Sequence, residues 1–579
     1  MAPSDRVSSP HNERSSPRVS SARAESSRVW FPAPWRASAW ARAAEQPFDL
    51  IVVGGGITGA GVARDAALRG MRVALFDRGD FGNGTSSRSS RLVHGGVRYL
   101  EHGHLHLVLE SSRERRRLLR IAPHLVRPLA FTWPVYAGAR IPLWKVKAGL
   151  TLYDALALFR NVAPHRRLAP DEVLRDEPYL LSDRLRGGAR YYDAAADDAR
   201  LVLANVIAAS EQGAVTINYA TVERVGANSD AERTWRLDVR DVVTGTLHEA
   251  RARTVVFALG PWSDDVAQII GRDAPRARVL GSIGAHIAVD RRHVHNAGAL
   301  TLLAPVDGRV FFVLPADDLT IVTTTETQAR QAPEDTRAAR ADVQYLLRAL
   351  NHYFPAANLG YEDVVAAWAG VRPLVAPAES PNGARALTSA SREHMIVEAE
   401  PRLLVVTGGK LTTYRAMAEE VVDRVAKRLQ SRFRGAVTHR VPLPGGELAD
   451  LRVAIEAVCR VVGDQPFAER LVRAYGSRWP TVTARVRAEG PAEGYLATRA
   501  PYLVGEALYN VENELAMTLA DVLIRRVRVA FELRDHGLEK ATHLANALAA
   551  RFGWSSSDAA AAVDEYQATV ARQFAIDQS

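Results

Sequence analysis

The side chains best suited to chemistry lie in a hydroxyl- and glycine-rich stretch, TSSRSSRLVHGGVRYL, which runs from Thr85 to Leu100. The stretch contains a histidine, His94, and an arginine, Arg98, close to its end. An imidazole can accept a proton near neutral pH, and a guanidinium binds phosphate or carboxylate oxygens in pairs. This composition indicates a loop that holds a small anionic substrate beside a cofactor.

A dinucleotide-binding unit precedes this loop. The apolar run Phe48–Val53 predicts a parallel strand buried on both faces, and it leads directly into a glycine turn. Gly54, Gly56 and Gly59 have the G-x-G-x-x-G spacing that brings backbone and a helix N-terminus close to a pyrophosphate. A helix, a second strand and then Asp77 follow in the expected order, with the acid placed for ribose hydroxyls. Because Asp77 is acidic, the sequence favours FAD or NAD over NADP.

Two later strands also end in glycine. One precedes Gly260, and the other precedes Gly408 and Gly409. Glycine at a strand end lets the backbone approach a ligand closely, so these positions suit a cofactor lying across one edge of a parallel sheet. The expected fold class is therefore α/β (α+β overall), with a Rossmann-like cofactor-binding domain.

The chain is predicted to divide into three parts. Residues 1–46 are rich in Ser, Pro and Arg, lack periodicity and are predicted to be a disordered tail. Residues 47–434 alternate strands and helices. Residues 435–579 have helical periodicity, which predicts helices over Leu451–Val462, Phe467–Tyr475 and Glu514–Phe531 and a separate all-α domain. In the middle part, the cofactor-binding segments are 47–125, 195–275 and 385–434, and the antiparallel substrate-binding segments are 126–194 and 276–384.

Composition limits the class of protein. The chain has 579 residues and a formal net charge of +9, carried mostly by arginine, with no compact basic run interleaved with aromatics outside the N-terminal tail. We therefore expect no nucleic-acid partner. The single cysteine, Cys459, excludes an internal disulfide and a thiolate metal cluster, and no metal site is expected. No apolar run is long enough to span a bilayer.

Several stretches together carry a family resemblance: Val52–Gly61, Thr85–Glu101, Asp197–Asn205, Gly260–Trp262, Ala369–Leu374 and Gly408–Arg415. With these motifs the chain resembles the FAD-dependent glycerol-3-phosphate dehydrogenases of the bacterial aerobic type, within the D-amino-acid-oxidase-like flavoproteins. The likeness runs from about Asp49 to Arg415, and the helical C-terminal part also fits the family. The most specific motifs are HGGVRYLEH and GGKLTTYR.

The resemblance implies oxidation of sn-glycerol 3-phosphate to dihydroxyacetone phosphate by hydride transfer to FAD, with the electrons passed to a membrane quinone. It also implies a cytoplasmic protein held peripherally at the inner face of the cell membrane, and a homodimer is compatible with it. No Cys or His is placed for covalent attachment of the flavin, so non-covalent FAD is expected. A related oxidase that uses oxygen, an enzyme for a different small hydroxy or amino acid, and a flavin-bearing binding protein are the alternatives.

The resemblance also assigns site residues. The candidates for catalysis are Arg98, Arg372, His94, His286 and Lys410. The candidates for substrate binding are Arg98, Tyr99, Arg372, Arg392 and Lys410. The candidates for cofactor binding are Gly54, Gly56, Gly59, Asp77, Ser86, Ser87, Ser90, Val222, Gly260, Gly409, Lys410, Leu411, Thr412 and Thr413.

Each assignment has a plainer alternative. The arginines could form surface salt bridges, and each histidine could be only a hydrogen-bonding group rather than a base. Thr412 and Thr413 could cap a helix, and Tyr99 could serve packing alone. One departure from the family is visible, because Ile283 stands where the family usually has a basic residue before its Gly-Xaa-His.

One segment suits a membrane surface. Residues Ile141–Tyr153 combine aliphatic and aromatic side chains with Lys145 and Lys147, two of only a few lysines in the chain. Such a segment could lie at the boundary of lipid headgroups, with the lysines reaching the phosphates. An ordinary core helix with a basic edge explains the same pattern.

Overall fold

The computed structural model describes residues 28–97, 100, 103–227, 234–272, 279–329, 331–375, 393–488 and 504–578. Within these ranges the chain is a mixed α/β protein built on two large sheets, which confirms the predicted fold class. No helix in the described ranges combines the length and the apolar character needed to cross a bilayer.

The first large sheet, here called the cofactor sheet, has six strands. Their order across the sheet is His394–Glu400, Leu403–Gly408, Val255–Phe257, Leu50–Val53, Val73–Phe76 and Val215–Ile217. All neighbours run parallel except the first pair, and the residues of Leu50–Val53 and Val73–Phe76 are fully buried. The glycine turn and the strand end at Gly408 therefore lie at the same edge, as the sequence predicts.

Helices cover the cofactor sheet and share its core. Ile57–Leu68 follows the glycine turn and packs against Asp198–Glu211 and Tyr414–Leu429. Smaller antiparallel strands, Ala220–Ala227, Trp235–Asp241 and Leu247–Ala252, form a three-stranded sheet beside it.

The second large sheet has ten strands and is mostly antiparallel, as the sequence predicts for the segments 126–194 and 276–384. Its strands are Leu92–Val93, Val126–Tyr136, Arg166–Leu168, Leu185–Ala196, Val279–Asp290, Ala299–Leu303, Val310–Ala316, Leu319–Thr323, Thr327–Gln328 and Val364–Val375. Val279–Asp290 and Val364–Val375 pair along most of their length, and they carry His286 and Arg372.

The remaining helices lie around these sheets and in the C-terminal part. They are Pro34–Glu45, Leu105–Ile121, Leu143–Leu156, Pro170–Asp176, Val266–Ile270, Arg291–Val294, Arg340–Tyr353, Leu451–Val462, Gln465–Tyr475, Trp479–Ala488, Val504–Asn513, Leu538–Phe552 and Ser556–Phe574.

The prediction of a disordered tail is wrong for residues 28–46, while residues 1–27 lie outside the described part of the chain. The helix Pro34–Glu45 is anchored by Arg36, whose guanidinium forms a buried ion pair with Asp241 at 2.7 Å. The Trp40 indole donates to the same carboxylate at 2.8 Å. Aromatic burial and a buried ion pair offset the cost of ordering the segment, and neither is visible in its overall Ser, Pro and Arg content.

The C-terminal part is helical, as predicted, but it is not a separate packing unit. Residues 451–486 have a small core of their own, whereas residues 504–574 share one core with the ten-stranded sheet. The predicted single helix over Glu514–Phe531 is replaced by short turns, including a π-helical turn at Asp521–Arg526. These turns place Arg525 and Arg526 on the buried Asp80 of the cofactor-binding region. Long-range ion pairs therefore decide this local structure.

Candidate active site

A cavity of about 2480 Å³ lies between the cofactor sheet, the ten-stranded sheet and the C-terminal helices. Pockets for drug-sized ligands have volumes of roughly 300–1,000 Å³, so this one can hold a dinucleotide together with a small substrate. Most of the described residues that the sequence assigns to the site line this cavity: Gly54, Gly56, Asp77, Ser86, Ser90, His94, Val222, Gly260, His286, Arg372, Gly409, Lys410, Leu411 and Thr412.

Six assigned residues do not line it or cannot be placed. Gly59, Ser87 and Thr413 lie behind the cavity wall. Arg98, Tyr99 and Arg392 lie outside the described residues, so their assigned roles stay predictions.

The glycine turn has the geometry that a pyrophosphate site needs. Gly54 has a φ of +101°, and a Cβ at this position would lie 2.6 Å from the Ala258 carbonyl oxygen. A Cβ on Gly59 would lie 1.8 Å from the Gly54 oxygen, so Gly59 acts by letting the helix pack on the strand rather than by facing the ligand. The Ser86 hydroxyl accepts from the Ile57 amide at 3.0 Å, which places it at the start of that helix. These features fit a bound dinucleotide.

Asp77 is held rigidly at the predicted ribose position. Its carboxylate accepts from the Gly55 amide at 2.6 Å and from the Gly79 amide at 2.8 Å. Burial raises the pKa of Asp77 to about 6, although both backbone hydrogen bonds act to lower it. A carboxyl with this pKa is ionised at neutral pH and protonated in mild acid.

The other end of the cavity is built on the paired strands Val279–Asp290 and Val364–Val375. Arg372 stands opposite Ser282, and its guanidinium donates to the Thr324 hydroxyl at 2.7 Å. The guanidinium lies over Gly284, where a Cβ would be only 2.0 Å from an Arg372 nitrogen. Because side chains at alternate positions share a face, His286 lies on the same face as Gly284. The two strands thus bring Arg372 and His286 to one wall.

His286 is a buried, neutral imidazole. Its ring stacks on Trp368 at 5.2 Å, and its Nε2 lies 3.2 Å from the Ser90 hydroxyl. Burial, assisted by the nearby Arg372, lowers the pKa of His286 to about 3. At neutral pH the ring therefore has a lone pair available to accept a proton or a hydrogen bond.

Lys410 and His94 reach the cavity from neighbouring loops. Lys410 follows Gly408 and Gly409, which have φ values of +78° and +84°, and a Cβ on Gly409 would lie 2.4 Å from the Met417 side chain. The Thr412 hydroxyl accepts from the His94 amide at 3.2 Å, so it ties the two loops together instead of capping a helix. Thr413 is at the N-cap of Tyr414–Leu429 but makes no side-chain capping bond there.

A buried carboxylate that is not predicted from the sequence fixes the histidine loop. Asp193 accepts from the Gly95 amide at 2.9 Å and from the Tyr153 hydroxyl at 2.6 Å, and it also forms an ion pair with Arg115. A Cβ on Gly95 would lie 2.2 Å from the Tyr153 hydroxyl, so this glycine is required for the contact. An acid inside an otherwise uncharged run, YYDAAA, is the only sequence signal.

Ile283, the departure from the family pattern, is half-buried and packs beside a core behind the ten-stranded sheet. In this chain the side chain at this position therefore contributes to hydrophobic packing and supplies no positive charge.

The pKa of Asp77 gives a testable pH dependence. The motif predicts that the ionised carboxylate accepts hydrogen bonds from ribose. The affinity of the cofactor-depleted protein for FAD should then be full above about pH 6 and should fall as the pH drops below it, by up to about tenfold per pH unit. Fluorescence titration with FAD between about pH 5 and pH 8 measures this. Asp77→Asn should bind FAD more weakly at high pH and lose the dependence, and a wild-type affinity that is flat over this range would contradict the assignment.

Known families match nearly the whole chain. Residues 49–424 match the family described as FAD dependent oxidoreductase, and residues 436–559 match the C-terminal domain of alpha-glycerophosphate oxidase. Glycerol-3-phosphate dehydrogenase 2 of Mycobacterium tuberculosis is 36% identical over 543 residues, which cover 92% of this chain and 90% of the relative. Glycerol-3-phosphate dehydrogenase of Synechocystis is 33% identical over 536 residues, which cover 90% and 95%.

The chain is also similar to solved structures of flavoproteins. The glycerol-3-phosphate dehydrogenase from Bacillus halodurans complexed with FAD has a TM-score of 0.76 and 29% identity, covering 93% of this chain and 97% of that one. The L-alpha-glycerophosphate oxidase from Mycoplasma pneumoniae, with a TM-score of 0.53 and 17% identity, shares the fold. FAD is accordingly the cofactor that the cavity accommodates. With sequence and structure matching along nearly its full length, the chain belongs to the FAD-dependent glycerol-3-phosphate dehydrogenase family.

Proposed function

We propose that this protein oxidises sn-glycerol 3-phosphate to dihydroxyacetone phosphate and passes the electrons to a membrane quinone. The observation that carries the proposal is the placement of the Arg372 guanidinium and the neutral His286 imidazole on one wall of the dinucleotide cavity. The curated relatives named for this substrate support the choice of a phosphorylated alcohol.

The cavity wall suits an anionic alcohol. Arginine forks match phosphate and alkoxide oxygens, and Arg372 is held by the Thr324 hydroxyl at 2.7 Å and by Ser282 at 3.5 Å. Lys410 adds a second cation from the loop that follows the strand Leu403–Gly408. Fixed cations aimed at a developing negative charge stabilise the transition state without reorganisation. Arg98 and Arg392 are proposed to complete the phosphate site.

Oxidation of a secondary alcohol also requires removal of its hydroxyl proton. Bound FAD supplies the hydride acceptor. His286 is the proposed base because its ring is neutral at neutral pH, and the negative charge of a bound substrate would offset the burial and the Arg372 charge that lower its pKa to about 3. Ser90 bridges the His286 Nε2 at 3.2 Å and the Thr323 hydroxyl at 3.1 Å, which orients the imidazole. His94, whose backbone is fixed by Thr412, is the alternative base.

A membrane-facing surface supports the choice of a quinone. Leu143–Leu156 buries Val146 and Leu150 in the core, yet Trp144 on the same helix is 72% exposed. Just beyond the helix, Phe159 is 71% exposed. We call the exposed side chains Trp144, Lys145, Lys147, Leu152, Leu158, Phe159 and Val162 the apolar-basic surface.

Arg140, four residues before Trp144 in the chain, lines the cavity, and we propose that the apolar-basic surface lies near a route into it. A lipid-soluble acceptor could therefore reach the cavity from the surface on which the protein rests. We propose that the protein binds peripherally to the cytoplasmic face of the membrane through this surface. Homodimer formation stays a prediction of the family resemblance.

The reaction is tested by anaerobic titration of the yellow holoprotein with glycerol 3-phosphate. We expect the flavin absorbance to bleach and to return when a soluble quinone is added. Rapid recolouring by oxygen with peroxide formation, and slow recolouring by quinone, would instead identify an oxidase. Bleaching by an amino acid but not by glycerol 3-phosphate would contradict the proposed substrate.

Membrane binding is tested by flotation with anionic phosphatidylglycerol vesicles. Replacing both Trp144 and Phe159 by Ser removes two exposed aromatic groups, each worth roughly 2 kcal/mol when buried in lipid, and should weaken binding at least about tenfold. Val453→Ser, which alters a side chain that is 59% exposed on the C-terminal helix Leu451–Val462, is the matched control and should bind as the wild type does. Equal binding by all three proteins would contradict the proposed surface.

A further inference from the structure

Arg88 lies along the cavity between its two functional ends. Two residues before it, Ser86 marks the start of the glycine-turn helix. Two residues after it, Ser90 contacts His286. The loop also packs closely on Gly370, where a Cβ would lie 2.7 Å from the Arg88 carbonyl oxygen and 3.3 Å from its Cβ. Gly370 is two positions from Arg372 on the same strand, so the side chain of Arg88 starts beside the reacting end of the cavity.

The charge of Arg88 has no counterpart within the described part of the chain. The guanidinium lines the cavity, and its buried Nε has no hydrogen-bond partner there. Burial lowers the pKa of Arg88 to about 10, and the only charged group that adds to the shift is another cation, Arg525. Arg88 is still protonated at neutral pH and is half-buried, so its positive charge faces the cavity.

The neighbouring arginines have nearby carboxylates, which Arg88 lacks. Arg525 bonds to the carboxylates of Asp80 and Asp521. Arg91, three residues after Arg88, also has two buried nitrogens, Nε and Nη2, without a hydrogen-bond partner in the described part of the chain. Its guanidinium nevertheless packs over Phe531 at 4.8 Å, the carboxylates of Asp197 and Asp198 act on its charge, and it does not line the cavity. Arg88 thus combines the lack of a carboxylate partner among the described residues with a place on the cavity wall, which suits a ligand that brings negative charge.

We propose that Arg88 is a further cofactor residue, whose positive charge lies beside the flavin ring and stabilises its reduced, anionic form. The helix N-terminus and Ser86 already supply donors at the pyrophosphate, whereas Arg88 is displaced from them toward Ser90 and His286. A fixed cation near the ring favours the reduced over the oxidised cofactor and so raises its reduction potential. The proposal rests on FAD binding and is independent of the substrate and of the electron acceptor.

The test is the midpoint potential of bound FAD, measured by reductive titration against a reference dye without substrate. Arg88→Gln should lower the potential, with about 30 mV for each tenfold loss in the preference for reduced over oxidised FAD. Arg88→Lys, which keeps the charge, should stay close to the wild type. Arg91→Gln removes the same charge from the same loop at a side chain that does not line the cavity, and should lower the potential less than Arg88→Gln does.

Three results would overturn the proposal. One is an unchanged potential in Arg88→Gln with FAD binding weakened equally in both redox states, which would place the charge at the pyrophosphate. A second is an equal fall in potential in Arg91→Gln, which would reflect the loop as a whole. If Arg88→Gln does not hold FAD, Arg88→Met is the second neutral variant. The third result is that neither Arg88→Gln nor Arg88→Met retains oxidised FAD while Arg88→Lys does, which would mean that the charge is needed to bind the cofactor in its oxidised state.

Discussion

The contact between the Arg372 guanidinium and the backbone of Gly284 is the constraint on which the site depends. It exists because two antiparallel strands pair Gly284 with Gly370 and Ser282 with Arg372, which leaves room for a flat cation to lie across the sheet. Any side chain at Gly284 would occupy that space. The same placement puts Arg372 close enough to His286 to help keep the imidazole neutral.

Burial gives these groups their chemistry. A neutral imidazole, the Arg372 guanidinium and the Lys410 side chain line one cavity, and charged groups held at fixed positions away from bulk water are more effective than in solution. The supporting contacts lie outside the cavity: Asp193 fixes the peptide at Gly95, and Asp80 fixes Arg525 and the C-terminal turns. The helical C-terminal part therefore contributes to the architecture of the site, since residues 504–574 share a core with the ten-stranded sheet.

Local sequence patterns predict the elements that follow local rules. The glycine turn, Asp77 and the strand ends at Gly260 and Gly408 are recognisable because each needs a particular residue type within a short span. Amphipathic spacing predicts Leu451–Val462 with its observed bounds.

The features that the sequence does not reveal depend on partners far along the chain. Arg36 is ordered by Asp241, and the turns around Arg526 are ordered by Asp80. Composition alone assigns the first of these segments to a disordered tail, and periodicity alone assigns the second to one helix. The sequence does not single out Arg88 or Asp193 for a related reason. The role of one charged residue can be recognised only when its burial and its neighbours are known.

The most direct test of the account is the affinity for glycerol 3-phosphate in Gly284→Ala, obtained from the concentration dependence of anaerobic flavin bleaching in a stopped-flow instrument. The added Cβ must displace Arg372, so the dissociation constant should rise at least about tenfold, or roughly 1.4 kcal/mol, with the FAD content unchanged. Gly226→Ala, where an added Cβ meets no atom within 4 Å, is the control. A wild-type dissociation constant in Gly284→Ala would contradict the central role given to Arg372.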